Sequence, residues 1–188
     1  DADPSETLMD FEELGLLELI IQRGPEALDG LPKEMRDNQE SMAEAIENNV
    51  RRTIVDENPV NPKYYERMSV LLDELIDLRR QQAISYQEYL EKVRELAKQV
   101  KYPQSHSQSA YPESIDTAAK RALYDNLGKD ELLVARIDTA VRYTKKADWY
   151  GDRFKEREIA FAIAEETKGY DVTVAEVMEL VKAQQEYH

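Results

Sequence analysis

Two histidines, no cysteine and many carboxylates define the chemistry this sequence could attempt. A di-iron site in a helical bundle needs Glu-x-x-His pairs, and neither His106 nor His188 stands in that spacing. The paired-histidine helix of a metalloprotease fails on the same two positions. Ser105-His106-Ser107 sets hydroxyls beside an imidazole. Acyl transfer also needs a carboxylate to orient the base and donors for the oxyanion, which a polar loop does not supply. A phosphate-cradling loop requires spaced glycines followed by Lys and a hydroxyl, and neither Gly24 nor Gly30 leads into one. Asp1, Asp3, Ser5 and Glu12 fall on ligand positions of a calcium loop, but Glu6 stands where its sharp turn demands glycine. Glu166-Thr167-Lys168, with Asp148 or Asp152 upstream, echoes the acid and lysine set of metal-dependent nucleases. Those enzymes mount the set on strands, whereas this triplet closes a helix before Gly169 and reads as a solvated terminus. Carboxylate-bound magnesium would call for clusters repeated on facing helices, and no such repeat occurs. The expectation is a chain without catalytic, cofactor-binding or metal-ligating residues.

Groups suited to protein contacts are better represented. There are 11 Tyr against 3 Phe, and the one Trp lies in Trp149-Tyr150-Gly151-Asp152. Tyrosine and tryptophan fit half-buried positions, because the ring is covered while the polar edge keeps a partner. Trp149 can therefore close the edge of a small core or anchor a partner. Arg51-Arg52, Arg79-Arg80 and Lys145-Lys146 are open in the same way, since basic pairs on helices are commonly solvated or matched to nearby acids.

The elements that position these residues are helical. Phe11, Leu14, Leu17 and Ile21 predict a first helix ended by Gly24-Pro25, with a turn following at Asp29-Gly30. Met42, Ile46, Val50 and Ile54 then recur every fourth residue, a narrow stripe that predicts a long helix packed on one side. Asn58-Pro59-Val60-Asn61-Pro62 breaks it. Tyr65, Met68, Leu71, Leu72, Leu75 and Ile76 predict the next helix, over about 62–82, with Arg79-Arg80 in its last turns. Ser85-Tyr86-Gln87-Glu88 is a capping box that opens an antiparallel neighbour carrying Leu90, Val93, Leu96, Ala97 and Val100 inward. The polar stretch 102–112 reads as a loop. Beyond it, Pro112 is expected to open a helix through Ile115, Ala119, Ala122, Leu123 and Leu127, closed by Gly128; Leu132, Leu133, Ile137 and Val141 carry another. Phe154, Ile159, Phe161 and Ile163 predict one more, and Thr173-Val174-Ala175-Glu176 is a second capping box. The fold class is thus all-α, about eight helices, arranged as an irregular bundle or as two small lobes. The expected organisation is an N-terminal helical lobe over 1–101, a loop over 102–112 and a C-terminal helical lobe over 113–188.

Composition agrees with that class and narrows the partners. Only 6 Gly and 7 Pro occur in 188 residues, too few turn residues for a sheet-rich fold. No apolar run approaches a membrane span and no basic, apolar leader opens the chain, so the expected setting is the cytoplasm, without membrane contact. The start at Asp1-Ala2-Asp3-Pro4, without an initiator methionine, suggests a piece of a longer protein. Net charge is −14, and residues 1–57 alone hold 16 acidic against 5 basic side chains. Such a surface repels phosphate, so a protein with a basic face is a better match than a duplex.

One ordered set of segments resembles a known family. Tyr64-Tyr65-Glu66-Arg67-Met68-Ser69, Leu71-Leu72-Asp73-Glu74-Leu75-Ile76, Arg79-Arg80 and Ile84-Ser85-Tyr86-Gln87-Glu88-Tyr89-Leu90 look like the C-terminal helical region of the restriction subunit of type I restriction-modification enzymes. Asp148-Trp149-Tyr150-Gly151-Asp152, Arg157-Glu158-Ile159 with Ala162-Ile163, and Val177-Met178-Glu179-Leu180-Val181-Lys182 through Glu186-Tyr187 continue the likeness, which covers about 62–188. The family's tail often has Asn where this chain has Ala183. The resemblance implies a parent that uses ATP and magnesium to translocate and cleave DNA, with nuclease and motor domains upstream. It also implies that this region docks them on the methyltransferase subunit and braces the motor, and that DNA is met only through the parent complex. No catalytic residue of the family falls in the region. The interface candidates are Tyr64, Tyr65, Arg79, Arg80, Trp149 and Tyr150. A free-standing helical adaptor or regulatory domain is the alternative from another class.

Overall fold

The structure, a computed structural model, describes residues 15–30, 33–106 and 110–188. Every regular element among them is helical. In chain order these are α1 (Leu16–Arg23), a 3₁₀ segment (Gly24–Gly30), α2 (Lys33–Asp37), α3 (Gln39–Glu57), a 3₁₀ turn (Asn58–Val60), α4 (Pro62–Arg80), α5 (Tyr86–Lys101) and α6 (Pro103–His106). There follow α7 (Ala118–Asn126), α8 (Glu131–Thr144), α9 (Arg153–Glu166), α10 (Val174–Lys182) and a last 3₁₀ turn, Gln185–Tyr187. Eight of the α-helices have eight residues or more, as an all-α chain of about eight helices requires. Among the described residues, no helix is long and apolar enough to cross a membrane.

The chain divides into two compact units. The first contains the described residues up to Asp56 together with Tyr65–His106; the second contains Glu57–Tyr64 and the described residues of Ser107–His188. One division lies between His106 and Ser107. Glu57–Tyr64 is grouped with the second unit, and its hydrogen bonds explain why. The Asn61 side chain donates to Asp125 at 2.8 Å and accepts from Asn126 at 2.8 Å, while Gln184 donates to the Val60 carbonyl at 2.8 Å. Asn61 also accepts from the Tyr64 amide, which makes it the cap of a helix whose first residue is proline.

In the first unit the fourfold stripe of α3 is wholly inside: Met42, Ile46, Val50 and Ile54 are buried. They share the interior with Leu17, Ile20 and Ile21 of α1, Met68, Leu72 and Ile76 of α4, and Leu90, Val93 and Val100 of α5. Phe11 and Leu14 of the expected first helix lie outside the described residues. Gly24 closes α1 at φ 70°, and a Cβ there would stand 3.1 Å from the Arg94 guanidinium, which donates to the Ile21 carbonyl at 3.0 Å. Ser85 caps α5 by accepting the Glu88 amide at 3.1 Å. Leu71 departs from the expected apolar face and is 38% exposed.

The second unit packs Ile115, Leu123, Leu133, Ile137, Val141, Trp149, Ile159, Ile163, Val177, Val181 and Tyr187 into one core. Each of its helices has a side-chain cap: Thr117 for α7, Asp130 for α8, Asp152 for α9 and Thr173 for α10. The Thr173 box is complete, with Thr173 accepting the Glu176 amide while Glu176 accepts the Thr173 amide. Three expectations need correction. Pro112 does not open a helix; it accepts the Ile115 amide in a turn, and extended Thr117 delays the start of α7 to Ala118. The 102–112 stretch contains a helical turn, α6, because Pro103 presets the backbone angle of a first turn. Phe154 and Phe161, grouped with Ile159 and Ile163 as the apolar residues of one helix, are 84% and 64% exposed, and Leu132 of α8 is exposed as well.

Candidate protein interface

Trp149 arrives from the connection between α8 and α9, where Asp148 takes a left-handed conformation with φ 53° and turns the chain inward. Its ring is 1% exposed, and its indole N–H donates to the Tyr187 carbonyl at 2.6 Å. Tyr187 in turn donates its hydroxyl to buried Asp138 at 2.6 Å. Burial, reinforced by Asp138, pushes the Tyr187 phenol well above its ordinary range. Arg142 holds both Asp138 oxygens at 3.1 and 3.0 Å and reaches Glu186 at 2.9 Å. Glu186 also accepts the Ala119 amide in the first turn of α7, and Lys145 donates to the Tyr187 carbonyl at 3.2 Å. The segment Gln184–His188 is therefore tied to α7, α8 and the Trp149 turn. Trp149 is part of that core and presents no edge to a partner.

Arg79 is equally committed. Its guanidinium forks onto Glu47 at 2.8 and 3.2 Å and reaches Glu40 at 2.7 Å. The Arg79 and Glu47 side chains are both nearly covered. Tyr89 donates its hydroxyl to Glu47 at 3.1 Å, and its ring lies 5.6 Å from the guanidinium carbon. Burial, then the Glu47 charge, pushes the Tyr89 phenol far above its usual value. This buried set joins α3, α4 and α5. Its worth comes from matching both charges inside one hydrogen-bonded group, because a lone buried ion costs several kcal/mol, roughly 3–5.

The remaining candidates separate. Tyr65 is buried and donates its hydroxyl to the Val100 carbonyl at 3.3 Å, and Tyr64 is buried at the start of α4. Arg80 is exposed. Tyr150 is 57% exposed, with its ring 4.8 Å from that of His188. The Trp149 and Tyr150 rings meet edge to face at 6.0 Å, and of the six candidates Arg80 and Tyr150 are the ones that face solvent. The other chemical candidates resolve into local structure where they are described. Thr167 donates to the Ile163 carbonyl at 2.9 Å, Lys168 pairs with Glu165 at 2.6 Å, and Ser105 donates to the Tyr102 carbonyl at 2.8 Å. Asp1, Asp3, Ser5, Glu12, Ser107 and the His106 side chain lie outside the described residues. Among the described residues, no group of three His, Cys, Asp or Glu side chains is placed to hold a metal ion.

No family model, curated protein or solved structure matches the chain. What can contact a partner must therefore be read from its own surface. In the second unit the exposed large apolar residues are Leu132, Tyr143, Tyr150, Phe154 and Phe161. Phe154 and Phe161 are seven residues apart on α9, so roughly 100° per residue returns them to one face, opposite Ile159 and Ile163. Glu158 and Glu165 share that face, with Lys146 on Glu158 at 2.6 Å. Their exposure was readable from the sequence by placing each apolar residue at its angle, since 154 and 161 lie far around the helix from 159 and 163. A groove of about 740 Å³ in the same unit, walled by Pro59, Pro62, Leu127 and Leu180, holds polar groups already engaged. Glu176 there caps α10, and Lys182 pairs with Glu156 at 3.2 Å.

Proposed function

We propose that this chain is a protein-docking domain of the restriction subunit of a type I restriction enzyme. In that role it follows the motor and seats the motor-nuclease on the methyltransferase core. The observation that carries the reading is the ordered run of resembling segments from Tyr64 to Tyr187. Their buried members, Tyr65, Tyr89, Trp149, Ile159, Ile163, Val177 and Tyr187, are the residues around which the two units fold. Phe154 and Phe161 stand within the same run and supply apolar contact area, the kind of group that anchors interfaces when covered. The −14 charge argues for a protein partner over a phosphate backbone. On this reading the chain brings no catalytic group of its own, ATP and magnesium are used by the parent's motor and nuclease, and DNA is reached only through the assembled enzyme. The setting is the cytoplasm.

The test is competition. The purified 188-residue chain should displace the intact restriction subunit from the methyltransferase core, with mild dependence on salt. Binding to bare duplex that falls steeply with salt, without displacement at the core, would reject the docking role.

A further inference from the structure

A second surface, in the first unit, has a more specific chemistry. Between α4 and α5 runs an open groove of about 410 Å³. Leu71, Leu75 and Leu78 line it from α4, and Leu96 and Gln99 from α5. Leu71 and Leu78 are 38% and 39% exposed, although both belong to a helix whose other face is packed. The spacing i, i+4, i+7 makes them one stripe along α4, the pattern with which a helix receives a further helix. Glu74, Glu91 and Glu95 stand along the rim, and Lys92 is the one cation in the lining. That cation is directed to Glu88 at 3.9 Å. Glu95 is matched by Lys98 at 2.7 Å, while Glu74 and Glu91 have no ion pair among the described residues.

We propose that this groove receives an amphipathic helix with basic flanks from a partner protein, its leucine-type anchors seated on Leu71, Leu75, Leu78 and Leu96 and its Lys or Arg side chains on Glu74 and Glu91. Charge selects this occupant over the others. The first fourteen residues of the chain carry six carboxylates and no cation, so covering the groove with them would set like charges together. A second copy brings a net charge of −14 to a rim of the same sign. A basic helix instead gains an ion pair at each rim while removing exposed leucine from water. The inference rests on the docking role only in requiring that the chain have a protein partner; the groove chemistry stands on its own residues.

The experiment titrates the full chain with a synthetic leucine-faced helical peptide flanked by lysines, and with its glutamate-flanked counterpart, while backbone amide shifts of 71–99 are followed by NMR. The lysine peptide should bind at 71–99, and the glutamate peptide should bind roughly tenfold or more weakly. Leu78→Asp and Glu91→Lys should each weaken the lysine peptide by a similar factor, with helical circular dichroism unchanged. Glu91→Lys changes only an exposed side chain, so it decides the matter if Leu78→Asp disturbs folding. Absent binding, equal binding by the two peptides, or binding unmoved by Glu91→Lys overturns the proposal. So does self-association of the wild-type chain that Leu78→Asp abolishes. Displacement at the methyltransferase core with no peptide binding would leave the docking role standing and remove the groove from it.

Discussion

The two units solve the same problem with different means. The first relies on long helices, with 19 residues in α3, 19 in α4, which also supplies Tyr64 and its neighbours to the second unit, and 16 in α5. It ties them across large sequence separations. Arg79 reaches Glu47 across 32 residues, Arg94 reaches the Ile21 carbonyl across 73, and Arg51 reaches Asp73 across 22. The second uses helices of 9, 14, 14 and 9 residues, each started by its own capping side chain. Isolated helices shorter than about 12–15 residues are marginal in water, so a short helix gains proportionally more from satisfied end groups. Long helices spread their packing over more turns and need chiefly a fixed register against their neighbours, which a buried ion pair supplies. Stability in the first unit should therefore concentrate in a few distant pairs, and in the second in the core and the helix starts.

The largest loss of stability is expected at Glu47, the buried partner of Arg79 in the first unit. Glu47→Ala leaves Arg79 charged and unmatched inside the first unit and should cost about 3–5 kcal/mol in urea unfolding followed by circular dichroism. Replacing both partners, Glu47→Leu with Arg79→Met, should recover most of the loss, since an apolar pair of similar volume needs no desolvated charge. A single variant as stable as the wild type would show that Arg79 finds water or another acid.

Trp149→Ala should cost about as much in the second unit, roughly 3–5 kcal/mol, by emptying the core beside Tyr187 and removing a buried N–H donor. Should its melting point hold while partner binding is lost, Trp149 would be an interface anchor and the core assignment wrong.

Smaller losses belong to the caps. Thr173→Ala and Asp152→Ala should each cost about 1 kcal/mol. Ser85→Ala at the head of the longer α5 should fall toward the lower end of that range, about 0.5 kcal/mol. Equal costs would remove the argument from helix length. Acid should act on the same groups. The Lys155 and Phe154 amides hold the Asp152 carboxyl below its usual range, the Gly151 amide does so for Glu156, and the Thr173 amide and hydroxyl for Glu176. A carboxylate with a lowered folded-state pKa contributes stability that is present above its unfolded value, near 4, and is lost as pH falls through the folded value. The second unit should accordingly loosen below about pH 4, reported by the emission of the single tryptophan, Trp149.

Local rules made much of the fold legible. The Thr173 box, the α3 stripe and the proline break at 58–62 depend on residues within a few positions of one another, and each is found where the sequence predicts it. The Glu47 ion pair could not be read this way. Glu47 sits beside Ile46 in what resembles a wet helix face, and only Arg79, brought in by the tertiary fold, makes its burial tolerable. For the contact surface the difficulty was the converse. Aromatic residues mark cores and interfaces alike, so residue type singled out Trp149, which the fold encloses, while angular position on α9 distinguishes Phe154 and Phe161.

The proposed docking would use protein contacts made through the exposed Phe154 and Phe161 face of α9. Isothermal titration of the chain and of its Phe154→Ser, Phe161→Ser double variant against the methyltransferase core, at low and high salt, tests it most directly. Because both side chains face solvent, the variant should keep the wild-type Trp149 emission and melting point. It should bind the core roughly tenfold or more weakly, with the wild-type affinity falling only mildly as salt rises. Equal affinities for the core, or no binding by the wild-type chain at either salt, would contradict it.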